Sequence, residues 1–118
     1  GAALRYLDGL DTQAVARHEA ALHHALLDGL RQRPALRLLG TPQCALASFV
    51  VDGVHGSDLA QLLAEQGIAI RHGHHCAQPL LHRLGLPGAC RVSLGLYNDG
   101  EDLARLFSAL DNALALLQ

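Results

Sequence analysis

Apolar residues recur along this chain with a helical period in some segments and with a strand period in others. Between residues 11 and 32, leucines and a valine return on one face of a helix that Asp11 or Thr12 can cap and that Pro34 ends. The runs 35–39 and 45–51 are short and apolar, and the second contains β-branched and aromatic residues, so both predict strands. The first half of the chain therefore reads as a helix followed by two strands.

The second half repeats these signals in a different order. A helix is predicted over 58–66 with Ser57 as its cap, and a short strand over 68–70 follows. The glycine and proline content of 71–79 predicts a loop. A single helical turn over 79–84, a strand over 91–96 and a last helix over about 100–117 complete the chain.

These elements predict an α+β fold, a small and mostly antiparallel sheet with helices packed on one face. The predicted order is α-β-β-α-β-β-α. Asn98 and Glu101 have the spacing of a capping box at the start of the last helix. We find no repeat, linker or low-complexity segment, so residues 1–118 are expected to form a single domain.

Composition excludes several classes of partner and cofactor linkage. The net charge of −2 argues against nucleic acid as a partner, and no apolar run reaches the roughly 20 residues of a membrane helix. The sequence contains no methionine, so we expect it to be part of a longer polypeptide. It contains no lysine, so none of its side chains can form a Schiff base with an aldehyde cofactor.

Three cysteines, Cys44, Cys76 and Cys90, make an odd count. A disulfide framework is therefore not expected, and reduced thiols indicate a cytoplasmic protein. Cys44 and Cys90 lack charged clusters around them and are predicted to be structural.

The segment RHGHHCAQP, residues 71–79, places three histidines and Cys76 close together, and three interpretations compete. A structural zinc site usually takes its four ligands as spaced pairs, a pattern that adjacent His75 and Cys76 do not supply. Ordinary burial or surface exposure is the second interpretation. The third is a nucleophilic thiol, because Arg71 and the histidines are the cationic neighbours that favour a thiolate.

Arg91 begins a run in which Val92 and Leu94 alternate with small or polar residues. Its side chain is therefore predicted on the face opposite to that apolar pair, beside Ser93 and Gly95. A guanidinium above a face without bulky neighbours can bind a carboxylate in bidentate fashion. An ordinary surface arginine is the other interpretation.

The segment GIAIRHGHHCAQPLL, residues 67–81, resembles the signature around the active cysteine of the type II cysteine desulfurases. This is the SufS/CsdA-like group of the class V aminotransferase family, which includes selenocysteine lyases. The preceding VDGVHGSDLAQLLAEQGIAIR and the following CRVSLGLYNDGEDLARLFSAL are similar to the C-terminal pattern of the same family. The resemblance covers residues 45–110, and the GHHCAQP core joined to R-x-S-L-x-x-YN makes it specific.

The resemblance implies the small C-terminal domain of a fold-type I enzyme whose pyridoxal phosphate is bound by a large domain absent from this chain. In this family, cysteine condenses with the cofactor, an enzyme thiolate attacks the substrate sulfur, alanine leaves and a persulfide remains on the enzyme. The sulfur then passes to an acceptor protein, commonly for iron–sulfur cluster assembly. Full-length members of the family are homodimers.

The same resemblance implies roles for individual residues. Cys76 matches the persulfide-forming cysteine, Arg91 matches the arginine that binds the substrate carboxylate, and Arg71 matches a further arginine at the edge of the active site. His74 and His75 are expected to tune or position the thiol. No metal is implied. The family has a small or uncharged residue where this chain has a histidine at position 72, so that histidine receives no role.

By this resemblance we expect the chain alone neither to hold the cofactor nor to turn over cysteine. Two other interpretations stay open. One is a free-standing metal-binding or sulfur-carrier module that uses the His/Cys cluster 72–76. The other is a structural domain in a protein that has lost its activity.

Overall fold

A computed structural model describes residues 1–118 as five helices and four strands. The strands are β1 (Leu36–Leu38), β2 (Leu46–Val51), β3 (Arg71–Gly73) and β4 (Ala89–Ser93). The helices are α1 (Ala2–Asp8), α2 (Thr12–Arg31), α3 (Gly56–Glu65), α4 (Gln78–Arg83) and α5 (Gly100–Leu117). The strands form one antiparallel sheet with the spatial order β1-β2-β4-β3. The α+β class and the antiparallel sheet are therefore confirmed. The predicted element order lacks α1, and the single helical turn predicted over 79–84 is the helix α4.

Three helices cover one face of this sheet. Ala47, Phe49 and Val51 on β2 are buried, and the residues between them are only half buried, which is the period of two expected for a strand with one covered face. These side chains and those of α2, α3 and α5 belong to one cluster of 17 buried residues. The strands and these three helices therefore share one continuous core.

The opposite face of the sheet carries the side chains that alternate with the core positions. We call it the open face, and its members on the four strands include Arg37, Ser48, Val50, Arg71 and Arg91. None of the four strands contains an acidic residue. The arginines of this face therefore have no carboxylate within the sheet itself.

Polar side chains cap the N-termini of the helices, and one of these caps was not predicted. Of the two predicted caps of α2, Asp11 and Thr12, the structure has Asp11, whose carboxylate accepts hydrogen bonds from the backbone N–H groups of Gln13 and Ala14, each at 3.1 Å. The prediction of Ser57 as the cap of α3 is wrong. His55 takes that position, since its Nδ1 accepts a hydrogen bond from the backbone N–H of Ser57 at 3.2 Å.

The capping box of α5 lies one residue beyond the predicted pair Asn98 and Glu101. Asp99 accepts from the backbone N–H of Asp102 at 2.9 Å, and Asp102 accepts in return from the backbone N–H of Asp99 at 3.2 Å. The two Asx-type side chains Asn98 and Asp99 are adjacent in sequence, so spacing alone could not decide between them. Asn98 closes the preceding turn instead, because its Oδ1 accepts from the Gly95 N–H at 2.8 Å.

Two predicted strands are displaced along the chain. The strand predicted over 68–70 is at 71–73, and the one predicted over 91–96 is at 89–93. Pairing explains both shifts, because Gly73 lies opposite Ala89 and the ladder extends from there. Ile68 and Ile70 still pack against the core, without ladder pairing. Apolar periodicity reports burial, and it does not locate the hydrogen-bond partners of a three-residue edge strand.

The helix α1 contains no buried residue, which is why its sequence has no amphipathic signal. Its one side-chain hydrogen bond to the rest of the chain joins the hydroxyl groups of Tyr6 and Tyr97 at 2.6 Å. None of the five helices combines the length and the apolar character that a membrane crossing requires.

Candidate active site at the turn between β3 and α4

Cys76 lies at the tip of a tight turn that joins β3 to α4. The turn spans residues 74–77 and is closed by a hydrogen bond from the Ala77 N–H to the His74 carbonyl at 2.8 Å. The Cys76 side chain is exposed and is not part of a disulfide. A strand on one side and a helix on the other therefore present this thiol to an incoming reactant.

Both central residues of this turn have a left-handed backbone, with φ of +52° at His75 and +59° at Cys76. Positive φ at both central positions is the pattern of a type I′ turn, which suits antiparallel strands but favours Asn and Gly. A non-glycine residue in this region costs on the order of 1–3 kcal/mol and is retained only where its surroundings hold it. The backbone strain thus coincides with the thiol that the sequence singles out.

His75 attaches the turn to β4. Its Nε2 lies 2.9 Å from the carbonyl oxygen of Ala89, and Ala89 is buried at the start of that strand. A carbonyl oxygen can only accept, so Nε2 carries the proton and donates it. His74, the neighbouring histidine, is exposed and makes no side-chain hydrogen bond.

Arg71 and Arg91 are brought together by strand pairing. They lie directly opposite each other on β3 and β4, and residues that are opposite in an antiparallel pair have their side chains on the same face. Neither arginine makes a salt bridge within the chain. The open face thus carries two adjacent guanidinium groups, an arrangement suited to an anion such as a carboxylate.

Arg91 has an unfilled hydrogen-bonding position. Its Nε is buried but has no hydrogen-bond partner in the chain. Buried donors without partners are uncommon in folded proteins, because each loses its water without replacement. The orphaned Nε–H is therefore an energetic cost that Arg91 brings to the folded chain.

The sheet separates His72 from the arginine pair. His72 lies opposite Cys90 in the ladder, and Cys90 belongs to the buried core, so both are on the helix-covered side. They line a cavity of about 390 Å³, to which neither Arg71 nor Arg91 contributes. No three His, Cys, Asp or Glu side chains converge in a way that could hold a metal ion. The four potential ligands between 72 and 76 are thus dispersed.

The other two cysteines have different environments. Burial raises the pKa of the Cys90 thiol to about 11, and its Sγ lies 3.9 Å from the Gly56 carbonyl oxygen. Both cysteines were predicted to be structural. Cys90 is buried, as a structural role requires, but Cys44 is exposed. Cys90 is protonated at neutral pH and is therefore a poor nucleophile.

One polar neighbour of Arg91 was not predicted from the sequence. Ser48 lies opposite Arg91 on the other side of β4, and its side chain shares the open face with that arginine. It is the polar residue between buried Ala47 and buried Phe49. A serine inside an apolar strand was therefore the available signal. The contact of His75 with the Ala89 carbonyl could not be predicted from the sequence, because every residue has a backbone carbonyl.

Comparison with known proteins identifies relatives of this chain. The family model described as Aminotransferase class-V matches residues 1–106. A probable cysteine desulfurase of Pseudomonas putida is 64% identical over 118 residues, which are 100% of this chain and 29% of that protein. The chain therefore spans less than one third of the length of such relatives.

Solved structures share the fold. The crystal structure of the cysteine desulfurase CsdA (S-sulfonic acid) from Escherichia coli superposes with a TM-score of 0.93 at 41% identity, over 99% of this chain and 29% of that one. A variant of C-DES with glycine covalently linked to its pyridoxal phosphate gives a TM-score of 0.70 at 25% identity, over 91% of this chain and 26% of that one. This chain belongs to the class V aminotransferase family, and the relatives that it matches there are cysteine desulfurases.

Proposed function

We propose that this chain is the thiol-bearing C-terminal domain of a type II cysteine desulfurase. The observation that carries the proposal is the position of Cys76 relative to the two arginines. The Cys76 thiol is exposed on a strained turn that follows β3, and β3 also carries Arg71, which lies opposite Arg91 without a neutralising carboxylate. A nucleophile and an anion-binding pair held by the same two strands have a fixed relative position. Such positioning is what a reaction on a small amino acid requires.

In this proposal Arg91 binds the substrate carboxylate, and Arg71 supports it from the neighbouring strand. The two terminal nitrogens of the Arg91 guanidinium can donate in parallel to the two carboxylate oxygens. The amino acid is then held by its invariant end. Its sulfur is left free to approach Cys76.

Cys76 acts as the nucleophile. Its thiolate attacks the sulfur of the bound cysteine, a sulfur–sulfur bond forms, and the bond between that sulfur and the substrate carbon breaks. The electron pair stays with the carbon, which takes up a proton and leaves as alanine. Cys76 is left as a persulfide, and selenocysteine can react by the same steps with selenium in place of sulfur.

Members of this family are pyridoxal phosphate enzymes. When bound, this cofactor withdraws electrons from the amino acid and so makes loss of its sulfur possible. The residues of this chain do not fit the role of its holder, because the sequence has no lysine to form the covalent link. We assign cofactor binding to a large domain of the same polypeptide, and we expect the isolated chain to be inactive.

The exposed thiol also indicates a protein partner. A persulfide at the tip of a turn can be attacked by the thiol of a sulfur-acceptor protein, which we place in iron–sulfur cluster assembly. We propose a homodimeric full-length enzyme. We also propose a cytoplasmic location, since all three cysteines are free and reducing compartments preserve free thiols.

The test uses the full-length polypeptide that contains this chain, loaded with pyridoxal phosphate. We expect Cys76→Ser to abolish alanine production from cysteine and to remove the persulfide detected by mass spectrometry. Cys44→Ser is the matched control, because Cys44 is also an exposed free thiol, and it should retain wild-type turnover. Unchanged turnover in Cys76→Ser would overturn the proposed function.

A further inference from the structure

The turn that carries Cys76 needs support from outside itself. His75 and Cys76 both have a left-handed backbone, a conformation that residues with a side chain adopt at an energetic cost. The turn has one internal hydrogen bond, from the Ala77 N–H to the His74 carbonyl. Its geometry must therefore be stabilised by contacts with neighbouring elements.

Two contacts hold the turn against the segment that begins β4. At the base, Gly88 passes so close to Gly73 that a Cβ on Gly88 would lie 3.3 Å from the Gly73 carbonyl oxygen. At the tip, the His75 ring reaches the Ala89 carbonyl oxygen with an Nε2–O distance of 2.9 Å. Arg91 is two residues farther along the same strand. The His75 ring thus connects the segment of the nucleophile to the strand of the substrate-binding arginine.

The hydrogen bond also limits what His75 can do chemically. Because Nε2 donates to a carbonyl, the neutral ring has its proton on that nitrogen and only Nδ1 is available as an acceptor. His74 is equally close to Cys76 in sequence but is exposed and makes no side-chain hydrogen bond. The two adjacent histidines are therefore not equivalent.

We propose that His75 is a positioning residue that sets the location of the Cys76 thiol relative to Arg91 through its hydrogen bond to the Ala89 carbonyl. This inference rests on the proposed function, since it concerns the same nucleophile and the same arginine. This role requires a hydrogen-bond donor at the position that Nε2 occupies, and it does not require an imidazole ring. A role in proton transfer would require the ring.

The experiment compares four single variants of the full-length holoenzyme. His75→Ala removes the donor and should lower kcat for cysteine on the order of ten- to a hundredfold with KM little changed, because a displaced nucleophile slows attack while Arg91 still binds substrate. His75→Gln places an amide N–H at a similar reach and should recover most of kcat. His82→Ala is the matched control, because His82 is an exposed histidine on α4 outside the proposed site, and it should equal the wild type.

The fourth variant, Cys76→Ser, separates this inference from the function beneath it. If Cys76→Ser is inactive while His75→Ala has the wild-type kcat, the positioning role is wrong and the proposed function stands. If His75→Gln is as impaired as His75→Ala, the imidazole itself is needed and the positioning role is also wrong. If Cys76→Ser turns over cysteine at the wild-type rate, the proposed function is wrong, and the positioning role that rests on it is wrong too.

Discussion

Arg71 and Arg91 lie directly opposite each other on β3 and β4, with their side chains on the open face of the sheet. Like charges in directly opposed positions destabilise an antiparallel pair, and the strands provide no acidic residue to offset them. A chain optimised only for stability would not place two guanidinium groups there. Under the proposed function, a substrate carboxylate supplies the missing negative charge.

This relationship predicts the effect of Arg91→Lys in the full-length enzyme. Lysine keeps the charge but loses the planar pair of parallel donors, so one charge-assisted hydrogen bond is lost. Such a bond is worth about 1.5–3 kcal/mol, and kcat/KM for cysteine should fall roughly tenfold to a hundredfold. Steady-state kinetics with varied cysteine concentration measure the change.

Arg37→Lys provides the matched control. Arg37 shares the open face but lies on β1 opposite Val50, away from the arginine pair. Its substitution should leave kcat/KM unchanged. Equal losses in the two variants would show that the effect does not depend on the arginine pair on β3 and β4.

Burial of Cys90 predicts both its reactivity and a pH dependence of stability. Its folded pKa of about 11 lies above the ordinary value of 9.0, so the folded protein keeps a proton that the unfolded chain loses between these values. The contribution of this proton to stability is complete below pH 9.0 and is lost as the pH rises towards about 11. The urea midpoint of this chain should therefore fall across that interval.

Cys90→Ala isolates this effect from other groups that titrate at high pH. The variant should be less stable than the wild type at neutral pH, but its midpoint should fall less steeply above pH 9.0. In native protein at pH 8, iodoacetamide should label Cys44 and Cys76 and spare Cys90 until the chain unfolds. Identical pH slopes for the two proteins would contradict a buried, protonated Cys90.

The sequence was sufficient for the parts of the fold that depend on burial. The helices α2 and α5 were predicted within a residue or two, because each buries leucines at helical spacing against one core. The strand β2 was predicted for the same reason, since Ala47, Phe49 and Val51 alternate with half-buried residues. Apolar residues recur with the period of the helix or strand because one face of that element is buried, so the sequence pattern predicts which face is buried.

The parts that the sequence did not give depend on pairing between distant segments. Nothing in the run IAIRHG indicates that pairing begins at Arg71 and not at Ile68, because the partner Arg91 lies 20 positions away. The candidate site shows the same division. Cys76 and Arg91 could be identified by residue type and motif, whereas the contact of His75 with the Ala89 carbonyl needed the folded geometry.

Gly29→Ala tests how closely α2 packs on α5. A Cβ at Gly29 would overlap the ring of Phe107, and Gly29 is buried within α2. The ring or the helix must shift, so the free energy of unfolding should fall by about 1–3 kcal/mol even though alanine favours helix. Urea denaturation followed by circular dichroism measures it.

Gly100→Ala is the control for this substitution. Gly100 begins α5, and no atom lies within 4 Å of a Cβ built there. The same chemical change should therefore alter stability by less than about 0.5 kcal/mol. Similar losses at Gly29 and Gly100 would mean that the Phe107 contact does not decide the outcome.

The hydroxyl contact between Tyr6 and Tyr97 predicts a spectroscopic change at the surface. The hydrogen bond with Tyr6 is the largest cause that raises the pKa of Tyr97, because it favours the protonated phenol. Tyr6→Phe removes the partner hydroxyl, so Tyr97 should titrate at a lower pH than in the wild type. The chain has only two tyrosines and no tryptophan, so ultraviolet absorbance of the phenolate in this variant reports Tyr97 alone. A Tyr97 titration that is the same with and without the Tyr6 hydroxyl would mean that α1 does not lie against the turn before α5.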